Sequence, residues 1–116
     1  MKWIVVVEDD LATLHLIQEA LESEGYGVLT CTNGAALEAA LHEPPDLIFL
    51  DVFLQDEDGR ELCSQVKTDP RTQHVPVILY SASRITNEAL EASHADRFLK
   101  LPFRLTELFA LAQRYT

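Results

Sequence analysis

The spacing of apolar residues changes period repeatedly along this chain, and the changes mark out its elements. Trp3-Ile4-Val5-Val6-Val7, Leu47-Ile48-Phe49-Leu50 and Val75 to Tyr80 are nearly unbroken apolar runs. Runs this short and β-branched read as strands buried on both faces of a parallel sheet, where no side faces solvent. Between them the period lengthens to that of a helix. In Leu11 to Glu24 the residues Leu14, Ile17 and Leu21 share one face, and Gly25 stops the helix as a C-cap.

The same reading continues to the end of the chain. Tyr26 to Cys31 is a second strand. Thr32 or Asn33 caps a helix through about His42, with Leu37, Ala40 and Leu41 inward and Pro44-Pro45 closing it. Asp46 to Leu50 is the third strand. Gly59 to about Lys67 is a helix with Leu62 and Val66 inward, ended by Asp69-Pro70. Val75 to Tyr80 is the fourth strand, Thr86 caps a helix over Asn87 to Ser93, and Arg97 to Lys100 is the fifth strand. A last helix turns Leu105, Leu108, Phe109 and Ala112 inward and runs nearly to Thr116. Strand and helix in strict alternation mean right-handed βαβ units, so the fold class is α/β, a parallel sheet covered on both faces. With no repeat and no internal linker, 1–116 is read as one domain.

Charge narrows what such a domain can meet. Lysine plus arginine is 9 against 19 aspartate plus glutamate, a net charge of −10. No basic stripe is present to neutralise phosphates, so contact with nucleic acid is not expected, and a cation or a basic partner suits the chain better. The apolar run after Met1 is too short for a signal peptide, and nothing approaches a membrane span. Cys31 and Cys63 lack metal-site spacing and read as reduced thiols of a cytoplasmic protein. His15, His42, His74 and His94 share no ligand spacing either.

Candidate chemistry lies at the carboxyl ends of the strands, where open α/β sheets hold ligands. Strand one delivers Glu8 and Asp9, strand three Asp51, strand four Ser81 and strand five Lys100. Carboxylates brought together repel, and a hard divalent cation such as Mg²⁺, which shares its shell with phosphate, relieves this. A hydroxyl and an ammonium beside them suit the remaining phosphate oxygens. The set points to acyl-phosphate chemistry on an aspartate.

The stretches Ile4-Val5-Val6-Val7-Glu8-Asp9-Asp10, Asp46 to Asp51, Asp58-Gly59, Val75 to Ala82 and Ala95 to Phe103, in this order and spacing, resemble a response-regulator receiver domain of two-component signalling. The resemblance implies a flavodoxin-like doubly wound sheet of five strands, order 2-1-3-4-5, with five helices. It implies that Asp51 accepts a phosphoryl group from a histidine kinase or phosphotransfer protein, with Mg²⁺ held by Glu8, Asp9, Asp51 and the backbone carbonyl of Phe53. Ser81 would contact the phosphoryl group, and Phe98 would be the aromatic switch that follows it. The output surface would be Asn87 to Thr116, for an output domain or a homodimer in which Glu88 and Glu91 face Arg97 and Arg104. Such a domain is no enzyme beyond its own phosphorylation and dephosphorylation. Met1 so near strand one reads as a natural start, with room for an output domain after Thr116.

Two positions depart from that family. Leu101 stands where a lysine usually precedes the proline, and Lys100 lies one residue earlier, a shift that reverses the face of a strand. Either a bulge brings Lys100 to the site or the cation is missing. Gln55 stands where a proline commonly follows the acceptor aspartate, and without it the loop is looser. Three readings of function follow. The chain is a phosphorylatable receiver, a degenerate receiver acting as a scaffold, as Leu101 suggests, or a small phosphatase of the haloacid dehalogenase type. The phosphatase wants an acid where Phe53 stands and needs a longer chain. A flavin domain fails for lack of a phosphate loop after strand one.

Overall fold

Parallel pairing of the apolar runs builds the centre of the molecule. The computed structural model describes residues 1–116. Strands β1 (Trp3–Val7), β2 (Gly27–Cys31), β3 (Leu47–Asp51), β6 (Val77–Ser81) and β7 (Arg97–Lys100) form one sheet in the order β2-β1-β3-β6-β7. Every pairing in it is parallel. Counted along the main sheet alone, this is the expected 2-1-3-4-5. A separate hairpin, β4 (Phe53–Leu54) with β5 (Glu57–Asp58), occupies what the sequence presented as an acidic loop. Two-residue strands carry no period of two to read, which is why the pattern missed them.

Alternation along the strands sorts the core into two layers. Ile4, Val6, Leu47, Phe49, Ile78 and Tyr80 join Leu14, Ile17 and Leu21 of α1 (Leu11–Ser23) and Leu108, Leu111 and Ala112 of α5 (Leu105–Tyr115). Val5, Val7, Ile48, Leu50, Val77 and Leu79 join Leu37 of α2 (Gly34–Ala40) and Cys63 and Val66 of α3 (Gly59–Thr68). On the same side Leu90 of α4 (Asn87–Ser93) packs from the edge. The inner stripe of α5 differs from the expected one: Leu105 is 45% exposed, Phe109 is only half-buried and joins neither layer, and Leu111 lies inward with Leu108 and Ala112. Leu105 is the first residue of the helix. Strand β6 starts at Val77 rather than Val75, because Pro76 has no N–H to give to a ladder.

Side-chain caps set the helix starts. Asp10, Asn33, Asp58 and Thr86 each accept a backbone N–H from the first turn of α1, α2, α3 and α4. Helix α3 begins unusually close to β3. A Cβ on Gly59 would lie 2.0 Å from the carbonyl oxygen of Asp51, and the Gly59 N–H donates to Val52 at 2.8 Å. Only glycine fits there, so the turn after Asp51 is pinned to the strand it leaves.

Candidate functional site

Register brings the acids together. Val7 pairs with Leu50 across β1 and β3, so Glu8 and Asp51 are the next residues on adjacent strands. By alternation with Val6 and Phe49 both turn toward the α1/α5 face, as does Tyr80, which pairs with Asp51 from β6. Asp9 follows on the β1–α1 turn. One carboxylate oxygen from each of Glu8, Asp9 and Asp51 lies within 4.8 Å of the other two.

Each acid has its own support. Glu8 is only 3% exposed. The Tyr80 hydroxyl donates to its Oε1 at 3.0 Å and the Asp10 N–H to its Oε2 at 3.1 Å. Burial nonetheless pushes its pKa from 4.5 up to about 7, and the neighbouring Asp51 adds to the rise while the Asp10 N–H opposes it. Asp51 is half-buried and accepts the Phe53 N–H on Oδ1 at 3.1 Å. Its pKa is raised, chiefly by burial and further by Asp9 and Asp10, against hydrogen bonds from Glu8 and Phe53. Tyr80 is raised too, by burial and then by the charge of Glu8 and Asp51, which keeps its phenol protonated and a donor. Asp9 Oδ2 accepts the backbone N–H of Gln55.

These carboxylates face no cation of the protein. The ion pairs are Arg60–Asp58, Lys67–Asp96 and Arg71–Asp69, all away from the cluster. Lys100 does not reach it. The β6–β7 ladder runs without a bulge from Ile78↔Arg97 to Ser81↔Lys100, so alternation puts Lys100 on the face of Phe98, opposite to Asp51. Its ammonium is exposed and hydrogen-bonds only the Leu101 carbonyl, at 3.5 Å. Leu101, half-buried, packs on the α1/α5 core layer instead, and the Leu101-Pro102 peptide is cis. Of the two possibilities for Lys100, the bulge is absent and the cation is missing.

Three carboxylates brought together with no counter-charge fit a hard divalent cation. Ser81, fully buried at the end of β6, pairs with Lys100 and by alternation shares its face, opposite to Asp51, and its Oγ accepts the Ser83 N–H at 3.0 Å. Phe98 is half-buried against the α2/α3 core layer. The ring of Phe53 is 55% exposed beside Asp51. Two contributors escaped the sequence reading. Tyr80 was visible as the one polar tip in an aliphatic strand, but the Gln55 N–H has no signal in side-chain type.

Residues 4–113 match the family model of the response regulator receiver domain. The chain belongs to that family. Response regulator PleD of Caulobacter vibrioides is 36% identical over 116 residues, covering 97% of this chain and 26% of PleD. The phosphate regulon transcriptional regulatory protein PhoB of Rhizobium meliloti is 37% identical over 110 residues, 92% of this chain and 48% of PhoB. The chain thus spans about a quarter and about half of these curated relatives. Among solved structures, response regulator protein TrrA of Thermotoga maritima, in complex with Mg²⁺ and BeF, superposes with a TM-score of 0.89. It is 26% identical and each chain is covered fully, 100%. In this receiver domain, then, the acidic cluster stands at the carboxyl end of a receiver sheet, where it fits a phosphorylation site with Mg²⁺.

Proposed function

We propose that this receiver domain takes a phosphoryl group onto Asp51 from a phosphohistidine of a kinase or phosphotransfer protein, and so switches a partner-binding surface. The observation that carries this is the convergence of Glu8, Asp9 and Asp51 within 4.8 Å on a receiver fold. An Asp51 carboxylate oxygen attacks phosphorus, the nitrogen–phosphorus bond breaks, and the imidazole leaves neutral after taking a proton. Asp51 must be ionised to attack, and the Phe53 N–H holds one of its oxygens in place. Glu8, Asp9, Asp51 and the Phe53 carbonyl would hold Mg²⁺. The metal supplies neutralising charge for the phosphoryl oxygens. Ser81 starts on the face of Lys100 and Phe98 and shifts inward when Asp51 is phosphorylated; because it accepts from Ser83, its own proton is available to a phosphoryl oxygen. Phe98, in the neighbouring strand, carries the movement of Ser81 outward, toward the surface built from Asn87 to Thr116.

Electrostatics set the cost of this design. The acyl phosphate adds negative charge to an acidic site from which the usual lysine is missing, and Leu101 supplies no donor in its place. That one position favours the second reading, a scaffold whose surface does not depend on phosphorylation. Labelling separates the two questions. On incubation with acetyl phosphate and Mg²⁺, intact-mass measurement gains one phosphoryl group in the native chain and none in Asp51→Ala. Labelling retained by Asp51→Ala contradicts the assignment, and labelling that leaves the amides of Asn87 to Thr116 unmoved selects the scaffold.

A further inference from the structure

The turn between β4 and β5 is tied to the metal-binding side of the site by a backbone group. The Gln55 N–H donates to Asp9 Oδ2 across 46 positions of sequence. Gln55 stands where the family resemblance expects a proline, and proline has no N–H to give. The contact therefore exists because of this chain's own substitution. We propose that the peptide N–H of Gln55 is a positioning group for Asp9, fixing the carboxylate of a Mg²⁺ ligand against repulsion from Glu8 and Asp51. The proposal rests on the reading of Glu8, Asp9 and Asp51 as the metal site.

The turn is built to hold that N–H still. Leu54 is 7% exposed and pairs with Glu57 across the hairpin. Asp56 between them adopts a left-handed conformation, φ 64°, which folds the chain back within one residue. Glu57 Oε1 accepts the N–H of Gly34 at 2.8 Å, which anchors the far side of the turn to the start of α2. An N–H so placed has little freedom to follow Asp9, so it is the carboxylate that is held. The turn holds Asp9 through Oδ2, and a carboxylate of Asp9 so held keeps an oxygen within 4.8 Å of those of Glu8 and Asp51. Orienting partners of ligands commonly matter as much as this: losing one lowers metal affinity by about 10–100-fold.

Two substitutions isolate the N–H from the side chain. Gln55→Pro deletes it, and Leu54, already extended in β4, accommodates a following proline. Gln55→Ala keeps it. In Mg²⁺ titrations followed by the amide shifts of Asp51 and Phe53, Gln55→Pro weakens binding by about tenfold and Gln55→Ala retains the native affinity. Equal affinity in Gln55→Pro overturns the proposal, as does a loss in Gln55→Ala that matches it. A second measurement needs no metal and no proline. In the metal-free native chain the Gln55 amide exchanges slowly with solvent deuterium, and in Asp9→Ala it exchanges fast. Identical exchange in the two overturns the proposal even if Gln55→Pro fails to fold. If the native chain binds no Mg²⁺, the metal-site reading fails, while the exchange experiment still reports whether Gln55 holds Asp9.

Discussion

Burial makes the ionised form of Glu8 costly in the folded chain, and that cost shapes how metal-free stability responds to pH. Below pH 4.5 the group is protonated in both the folded and the unfolded chain and favours neither. Between 4.5 and about 7 the unfolded chain ionises first while the buried carboxyl keeps its proton, so metal-free stability falls across that window and levels off above it. Urea unfolding at stepped pH checks this, and stability that climbs between pH 5 and 7 contradicts it. Mg²⁺ needs the ionised form, so its affinity rises over the same window. Tyr80→Phe removes the hydroxyl donor to Glu8 Oε1 and leaves a buried acceptor unpaired, a cost of about 1–3 kcal/mol. The loss is larger at pH 8 than at pH 5, since the charged form needs the donor more; a loss independent of pH would assign Tyr80 to packing alone. At the end of α4, His94 takes a left-handed conformation, φ 61°. A side chain there costs what glycine avoids. His94→Gly should add about 0.5–1 kcal/mol of stability by the same urea assay, with no change in Mg²⁺ binding.

Element by element, what could be read from the sequence was what alternates. The five strands of the main sheet and the helices between them were legible because each has a run or a period long enough to count, and Asn33 and Thr86, two of the observed caps, stood out as cap residues. The acids of the site were legible because strand ends in a parallel sheet share one edge. Three things were not. The β4–β5 hairpin is too short for a pattern. The inner face of α5 could not be placed without the angle at which it meets the sheet. The fate of Lys100 depended on a bulge, and only the regular β6–β7 register decides against it. The contact between α3 and β3 is a further tertiary fact hidden in one residue. Gly59→Ala sets a methyl into the Asp51 carbonyl. Displacing that strand end should cost about 1–3 kcal/mol and weaken Mg²⁺ binding; unfolding and titration of the variant check both, and native values for both would contradict the close approach.

At the scale of the molecule, a chain of net charge −10 gathers three carboxylates at one sheet edge and leaves them without a cation of its own. Repulsion among the carboxylates is relieved by a divalent ion, so Mg²⁺ should raise the melting temperature, and the rise should continue with the logarithm of Mg²⁺ concentration above Kd. Whether the site also speaks to the surface depends on Ser81 and Phe98 working without the lysine that Leu101 replaces. No helix is long and apolar enough to cross a membrane. The central claim is best tested by two-dimensional NMR of the native chain, first with Mg²⁺ and then with beryllium trifluoride as a phosphoryl mimic. Mg²⁺ should shift the amides of Asp9, Asp51 and Phe53, and the mimic should then move Ser81, Phe98 and α5. A mimic that fails to bind in the presence of saturating Mg²⁺, or that moves nothing beyond Asp51, would contradict it.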